Sequence, residues 1–254
     1  MRHNGLKQLA SQRTTAINAW LSSDSGYVAE VLGHCGFDAV TVDLQHGQFG
    51  IDAVPRLLQA ISATPAMPWV RCSGNDMAEL NKLLDMGAYG VICPMIETVE
   101  QARQLVSATR YAPLGRRSFG PARGLLYGGS DYLAHANEEV LVLAMIETQD
   151  GLENAEEILQ VPGLDGIYIG PNDLALSLGI SPATPWQESV LADHIHDLLE
   201  LCQRYEKYSG IFCGDLAMAH AMQSAGVSLV TPGNDTQLMR SEAMQRIQML
   251  REAS

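Results

Sequence analysis

Short runs of consecutive hydrophobic residues alternate along the chain with stretches whose hydrophobic residues recur every three or four positions. The short runs are typical of strands buried on both faces, and the spaced stretches are typical of helices with one buried face. The segment 76–86 shows the second pattern and begins with Asp76 as its predicted N-cap. The first pattern predicts strands at residues 15–21, 39–44, 68–72, 90–95, 141–146, 166–169, 209–213 and 228–231.

Predicted helices separate most of these strands. Gly36, Gly87, Gly163 and Gly226 each follow a helical stretch and precede a strand, which is where a left-handed C-cap belongs. Eight strands alternating with helices in 254 residues favour a (β/α)8 TIM barrel, an α/β fold formed by residues 1–254 as one domain. An open doubly wound sheet is the alternative. The other predicted helices cover residues 97–109, 150–159, 186–205, 216–224 and 235–250.

Composition narrows the classes of partner. The formal net charge of -13 repels phosphate backbones and anionic lipid, so neither nucleic acid nor a membrane surface is an expected partner. The chain has neither the apolar core of a signal peptide at its start nor the roughly 18 consecutive apolar residues that span a bilayer. Its five cysteines form no CxxC pair, which favours reduced thiols and a cytoplasmic location.

Polar residues stand at the ends of several predicted strands. In a (β/α)8 barrel the carboxyl ends of the strands form one face, and the chemistry of such enzymes collects there. A functional site is therefore predicted at this face. Its candidate residues are Asp43 and His46 after the second strand, Arg71 in the third, Glu147 after the fifth, and Gly170, Pro171, Asn172 and Asp173 after the sixth.

Each candidate also has a purely structural interpretation. Asp43 could close an Asx turn or cap a helix, and His46 could be a hydrogen-bonded loop residue. Arg71 could form a structural ion pair with a neighbouring carboxylate, while Glu147 and Asp173 could cap helices. The convergence of these groups on one rim favours the functional interpretation, because several unrelated caps would not collect there.

Motifs spread over nearly the whole chain resemble those of the HpcH/HpaI aldolase family, the metal-dependent class II pyruvate aldolases, and of the related macrophomate synthase. They include GFDAVTVDLQHG, VRCSGND, LVLAMIET, LDGIYIGPNDLALSLG and VTPGNDT. The most specific pieces are D-x-x-H after the second strand, the P-M-x-x-T-x-x-x-A block with its ATRY-x-P-x-G-x-R continuation, and G-P-x-D-L. Their order and spacing together make the resemblance specific.

The resemblance implies a role for each candidate. Glu147 and Asp173 match the two carboxylates that hold a divalent cation, for which oxygen ligands favour Mg²⁺, Mn²⁺ or Co²⁺. Arg71 matches the arginine that contacts the forming enolate oxygen. Asp43 and His46 match a dyad that moves protons, with Asp43 orienting the imidazole. Gly170, Pro171, Asn172, Trp20 and Phe212 are expected to contact substrate.

The implied reaction is the reversible cleavage of a 4-hydroxy-2-oxo acid to an aldehyde and pyruvate, or a related 2-oxo acid such as hydroxypyruvate. Several positions depart from the commoner family pattern, including Gln45, Met145 and Asn172. None of these removes an expected ligand or proton carrier, so the reaction class is better supported than the substrate. The alternatives are a citrate-lyase-β-like acyl-CoA lyase and a non-catalytic barrel that binds a 2-oxo acid.

Family resemblance also predicts assembly into trimers or hexamers, with C-terminal helices exchanged between subunits. The helix predicted at 235–250 has apolar residues suited to such an exchange, and packing on its own barrel is the alternative. Asp85 is a candidate contribution to a neighbour's site. The segment 110–137 is predicted to be a long loop bordering the aldehyde pocket, where Arg123 would meet an anionic acceptor; a solvated surface arginine is the alternative. The apolar residues of the helix are Leu238, Met239, Met244, Ile247 and Leu250.

Overall fold

The computed structural model describes residues 1–181 and 184–252, and within them the eight predicted strands form a closed parallel barrel in chain order. The (β/α)8 prediction is therefore confirmed, and the open sheet is excluded. Each strand lies beside its predecessor, and the barrel closes where β8 pairs with β1. The strands are β1 (Ala16–Leu21), β2 (Ala39–Asp43), β3 (Met67–Arg71), β4 (Gly90–Cys93), β5 (Leu141–Ile146), β6 (Gly166–Ile169), β7 (Tyr208–Phe212) and β8 (Leu229–Thr231).

Helices alternate with the strands. The first helices are α1 (Gly5–Ser11), α2 (Gly26–His34), α3 (Val54–Ser62), α4 (Met77–Asp85), α5 (Val99–Thr109), α6 (Ala122–Gly128) and α7 (Tyr132–Glu139). They are followed by α8 (Gln149–Glu153), α9 (Ala155–Leu159), α10 (Pro171–Ser177), α11 (Val190–Arg204), α12 (Leu216–Ser224) and α13 (Asp235–Glu252). None of the helices in the described ranges is both long and apolar enough to cross a bilayer.

Local sequence signals place most element boundaries correctly. The side chain of Asp76 caps α4 as predicted, by accepting a hydrogen bond from the backbone N–H of Glu79. The four glycines predicted at helix C-termini all have positive φ angles, between 83° and 97°. At these positions a residue with a Cβ would be strained, so glycine is the residue that the turn requires.

Two predictions about local structure are wrong. The segment 110–137 is not one irregular loop, because α6 and the first part of α7 lie within it. The predicted strand 90–95 ends at Cys93 instead. Its last predicted residue, Met95, has a φ of 56°, which is incompatible with a strand. The bend at Met95 points its backbone N–H at the carboxylate of Glu147, 2.9 Å away.

Two large hydrophobic clusters form most of the core, and a third, small one consists of Tyr111, Tyr132 and Ala136. The larger of the two large clusters lies between the barrel and its helices, and the other fills the barrel interior. Large rings fill this interior because glycines stand opposite them: a Cβ on Gly90 would come within 2.0 Å of Trp69, and one on Gly210 within 2.4 Å of Tyr168. The barrel interior is therefore a packed core and not a pore.

The C-terminal helix α13 does not pack along its own barrel. After Asp235, which is buried, nearly every residue of the helix is exposed. Met239 and Ile247 on this helix are 69% and 49% exposed. The alternative of ordinary packing on its own barrel is therefore wrong for this helix.

Candidate active site

A cavity of about 400 Å³ opens at the carboxyl ends of the strands, where the sequence predicts the site. Seven of the eight strands contribute to its wall, either directly or through the loops that follow them. Among the residues predicted to act there, nine line the cavity: Trp20, Asp43, His46, Arg71, Gly170, Pro171, Asn172, Asp173 and Phe212. Met145, which was not predicted to act there, also lines it.

Asp43 and Arg71 form the buried polar centre of this cavity. They are directly opposite each other in the register of β2 and β3. The Arg71 guanidinium donates Nε–H to Asp43 Oδ1 at 2.8 Å and Nη2–H to Oδ2 at 2.6 Å. Such a bidentate pair fixes the plane of the guanidinium. The Nη1 group of Arg71 has no hydrogen-bond partner within the described ranges, so it remains available to a ligand.

Trp20 completes the support of this pair. Its indole N–H donates to Asp43 Oδ2 at 3.0 Å, and its ring lies 4.8 Å from the Arg71 guanidinium carbon. The edge of Phe212 packs against the same indole at a centroid distance of 5.8 Å. Burial alone would raise the pKa of Asp43, but the hydrogen bonds and charge of Arg71, helped by Trp20, hold that pKa below its ordinary value of 3.8. Asp43 is therefore ionised at neutral pH.

The proposed contact between the Asp43 carboxylate and the His46 imidazole is not present. Asp43 Oδ1 instead accepts the backbone N–H groups of Gln45 and His46, at 3.1 and 3.3 Å. This is the Asx turn that was one structural alternative for Asp43. It shapes the loop so that His46 lines the cavity. The imidazole itself makes no hydrogen bond to any residue in the described part of the chain.

Glu147, directly after β5, lies behind the cavity wall: it is not among the described residues that line the cavity, but its Oε2 lies against Gly170, which is. Its side chain is 1% exposed, and Oε1 accepts the N–H of Met95. The other oxygen, Oε2, is buried without a hydrogen-bond partner within the described ranges. Burial raises the pKa of Glu147 above its ordinary value of 4.5, the Met95 N–H lowers it in part, and the charge of Asp173 raises it further. A buried carboxylate oxygen without a partner is costly unless a cation or a proton satisfies it.

Gly170 makes the approach to Glu147 possible. A Cβ at position 170 would come within 2.6 Å of Glu147 Oε2 and within 2.8 Å of the Met145 methyl group. Gly170 precedes α10, whose first turn carries Pro171 and Asp173. The chain therefore passes close to Glu147 and then turns to bring a second carboxylate into the cavity wall.

The two carboxylates fit a divalent cation. Oxygen donors are the ligands that Mg²⁺ and Mn²⁺ prefer, and Glu147 Oε2 lacks any other partner among the described residues. The described ranges hold no group of three or more His, Cys, Asp or Glu side chains arranged for a metal. A site with only two protein carboxylates leaves coordination positions for substrate and water, which suits a catalytic ion.

Sequence reasoning missed one side of the cavity. Ser22 and Gln48 extend from the β1 and β2 loops, while Asn234, Thr236 and Gln237 stand at the start of α13. A signal for the last three was present in the sequence, because N-D-T-Q has the capping-box spacing of an N-cap residue followed three positions later by glutamine. The structure shows that box: Asn234 Oδ1 accepts the Gln237 N–H, and Gln237 Oε1 accepts the Asn234 N–H.

Arg123 and Asp85 do not reach the cavity of their own chain. The Arg123 guanidinium donates to the Met86 carbonyl at 2.7 Å and to Ser62 Oγ at 2.8 Å. Asp85 accepts a hydrogen bond from Arg117 at 2.9 Å. Both residues line a separate surface depression of about 340 Å³ between α3, α4 and α6.

Three known proteins are similar to this chain over nearly their full lengths. A hydroxypyruvate/pyruvate aldolase from Rhizorhabdus wittichii is 41% identical, over 96% of this chain and 97% of its own. A 2-keto-3-deoxy-L-rhamnonate aldolase from Salmonella typhi is 35% identical, over 98% of this chain and 93% of its own. The crystal structure of an HpcH/HpaI aldolase/citrate lyase family protein from Burkholderia cenocepacia superposes with a TM-score of 0.90 at 31% identity, over 98% and 99% of the two chains.

The fold, the site and these relatives together identify a (β/α)8 barrel lyase. Its site combines the carboxylates of Glu147 and Asp173 with the guanidinium of Arg71. The model of the HpcH/HpaI aldolase/citrate lyase family matches residues 17–242. The chain belongs to this family, as its sequence motifs indicate.

Proposed function

We propose that this chain is a divalent-metal-dependent aldolase that reversibly cleaves 4-hydroxy-2-oxo acids. The products are an aldehyde and pyruvate, or a related 2-oxo acid such as hydroxypyruvate. One observation carries the proposal: the unpartnered buried oxygen of Glu147 lies against Gly170, which lines the same cavity as Arg71 with its free Nη1 group. A site for a cation and a site for a developing anion are thereby combined, which is what enolate chemistry requires.

Glu147 and Asp173 are the residues that would hold the cation. When bound, a divalent ion withdraws electrons from the keto group of the substrate and acidifies the adjacent carbon. Gly170 keeps the approach to Glu147 open, because any side chain there would collide with Oε2. Met145 and Pro171 line the neighbouring wall of the cavity.

Arg71 is proposed to donate from Nη1 to the oxygen that becomes anionic when the carbon–carbon bond breaks. Asp43 and Trp20 hold the guanidinium in place before the substrate arrives, so little reorganisation is needed. His46 is proposed to exchange a proton with the hydroxyl oxygen that becomes the aldehyde. Its imidazole is suited to this role because no protein group in the described ranges occupies its nitrogens.

Two alternative functions are less well supported. An acyl-CoA lyase would need cationic groups for the phosphates of coenzyme A, yet Arg71 is the one lysine or arginine among the described residues that line the cavity. A non-catalytic binding barrel would have no use for a histidine left without hydrogen-bond partners in the described ranges. A retro-aldol assay distinguishes both alternatives from an aldolase.

The test is retro-aldol cleavage coupled to lactate dehydrogenase, which detects released pyruvate. We expect pyruvate formation from a 4-hydroxy-2-oxo acid with Mg²⁺, Mn²⁺ or Co²⁺ and loss of activity with excess EDTA. Undiminished activity after exhaustive chelation, or a lysine trapped by borohydride, would contradict the proposal, since a trapped lysine indicates a Schiff base.

We also propose that the chain assembles into trimers or hexamers through α13, whose exposed apolar residues would pack on a neighbouring subunit. In such an assembly Asp85, on the outer surface of α4, would face a neighbour's cavity. A cytoplasmic location is proposed as well, supported by five cysteines that form no disulfide.

A further inference from the structure

The acceptor side of the cavity is built from uncharged hydrogen-bonding groups. In the closed barrel, β5 and β6 carry Glu147 and Asp173 and lie across the ring from β1 and β2. The wall across from the carboxylates is therefore formed by the β1 and β2 loops, and the start of α13 adjoins it because Asn234 pairs with Trp20 of β1. The polar side chains on that wall are Ser22, Gln48, Asn234, Thr236 and Gln237.

The capping box of α13 fixes how two of these side chains are oriented. Asn234 Oδ1 accepts the N–H of Gln237 at 2.8 Å and the hydroxyl of Thr236, also at 2.8 Å. Gln237 Oε1 accepts the N–H of Asn234 at 3.1 Å. Each amide oxygen is thus occupied by the helix terminus. The two NH₂ groups have no partner in the described ranges and serve as donors in the cavity wall.

Within one chain, the described residues of this wall offer no cation to a charged acceptor. Arg71 is the one lysine or arginine that lines the cavity within the described ranges, and two of its three nitrogens are bonded to Asp43. The partial positive charge of the α13 N-terminus is offset by Asp235, whose carboxylate accepts the backbone N–H groups of Ser22 and Ser23. An acceptor with a carboxylate or phosphate would therefore lose its hydration without gaining a counter-charge.

We propose that Asn234 and Gln237 are the residues that select the acceptor, and that they favour short, uncharged hydroxyaldehydes over acidic or phosphorylated ones. Their amide groups donate to a hydroxyl oxygen on the carbon next to the aldehyde. This assignment rests on the proposed function and adds the chemical class of the aldehyde. A site built to hydrogen-bond a hydroxyl discriminates against the analogue that lacks it, because its donors are then left unpaired.

The test uses three small aldehydes with pyruvate as donor: glycolaldehyde, acetaldehyde and glyoxylate. They share a two-carbon skeleton and differ in carrying a hydroxyl, no further polar group or a carboxylate. We expect the wild type to have its highest kcat/KM with glycolaldehyde and its lowest with glyoxylate. Product formation is followed by proton NMR with added Mg²⁺.

Two variants remove the donors and keep the helix cap. Asn234→Asp and Gln237→Glu retain the oxygens of the capping box, since aspartate and glutamate cap as well as the amides do. Each should lower the preference for glycolaldehyde over acetaldehyde about three- to tenfold, the value of one hydrogen bond. Gln237→Lys should instead raise kcat/KM for glyoxylate. Gln223→Glu, an equal change of charge at an exposed position of α12, should alter none of these ratios.

A second readout separates this proposal from the proposed function. Exchange of the pyruvate methyl protons with D₂O needs no acceptor, so Asn234→Asp and Gln237→Glu should retain it. Wild-type use of glyoxylate equal to or better than glycolaldehyde, or unchanged ratios in both variants, would overturn the specificity assignment alone. Absence of both exchange and aldol product in the wild type would overturn the proposed function itself.

Discussion

Arg71 and Asp43 face each other across β2 and β3 and share two parallel hydrogen bonds of 2.8 and 2.6 Å. The pair orients a guanidinium toward the cavity while leaving Nη1 free for ligand. Asp43 thus acts on Arg71 and not, as the sequence motif implies, on the imidazole of His46. Because Asp43 positions Arg71, we expect substitutions of these two residues to have similar effects on the reaction.

Loss of Arg71 should remove the donor to the developing enolate oxygen. We expect Arg71→Ala to reduce the cleavage rate about 10²–10³-fold and to slow pyruvate methyl exchange, because exchange passes through the same enolate. Arg71→Lys should retain only part of the wild-type cleavage and exchange rates, since an ammonium lacks the planar fork that Asp43 holds. Asp43→Asn should resemble Arg71→Ala in both measurements. An Asp43→Asn enzyme with full methyl exchange would show that Asp43 does not position Arg71.

His46 should separate proton transfer from enolate formation. We expect His46→Ala to slow carbon–carbon cleavage by about 10²–10⁴-fold, the range for loss of a general acid or base. Methyl exchange should persist, because the proton that His46 moves belongs to the aldehyde-derived oxygen. Proton NMR in D₂O with Mg²⁺ measures the exchange. Exchange abolished as completely as in Arg71→Ala would mean that His46 also serves enolisation.

Glu147 and Asp173 should determine metal affinity without supporting the fold. We expect Glu147→Gln and Asp173→Asn to weaken Mn²⁺ binding in isothermal titration by at least about tenfold, since each removes one of two charged ligands. Circular dichroism should remain that of the wild type. Glu157→Gln, at an exposed position of α9, is the control. Wild-type affinity in either site variant would remove that residue from the metal site.

The Asp43–Arg71 pair should contribute to stability in a pH-dependent way. Because the pKa of Asp43 is lower in the folded than in the unfolded chain, its contribution is fully present above the unfolded value of about 3.9. It is lost as pH falls through the folded value. We expect Asp43→Asn to destabilise the protein by about 3 kcal/mol at pH 7, as for a broken buried ion pair. That difference should shrink below about pH 4.

Urea unfolding of wild type and Asp43→Asn between pH 7 and pH 3 measures this difference. Asp193→Asn, at an exposed position of α11, serves as the comparison variant. A free-energy difference that stays constant over the whole range would show that ionisation of Asp43 is not linked to folding.

The exposed face of α13 should hold subunits together. We expect light scattering at micromolar concentration to give the mass of a trimer or hexamer for the wild type. Ile247→Asp should shift the mass toward the monomer, because it places a charge in an apolar contact. Gln245→Glu, also exposed on α13, should leave the assembly intact if the apolar residues carry the contact. A monomeric wild type would rule out assembly through this helix.

The sequence by itself determined the barrel fold and several of the residues that line the mouth of the barrel. Period-two and period-3.6 patterns are local properties of the chain, and the carboxyl ends of parallel strands must meet at one face. For this reason the sequence alone assigns Asp43, His46, Arg71, Asn172 and Asp173 to one cavity, and the structure brings them there.

Only the tertiary structure decided which of these groups touch each other. The family resemblance implied a dyad of Asp43 and His46, whereas register placed Arg71 opposite Asp43 and the Asx turn directed the carboxylate toward the His46 backbone. Contributions from distant parts of the chain, such as Asn234 beside Trp20, follow from closure of the barrel. Local patterns encode element type, while pairing between elements depends on register and closure, which arise only when all eight strands are assembled.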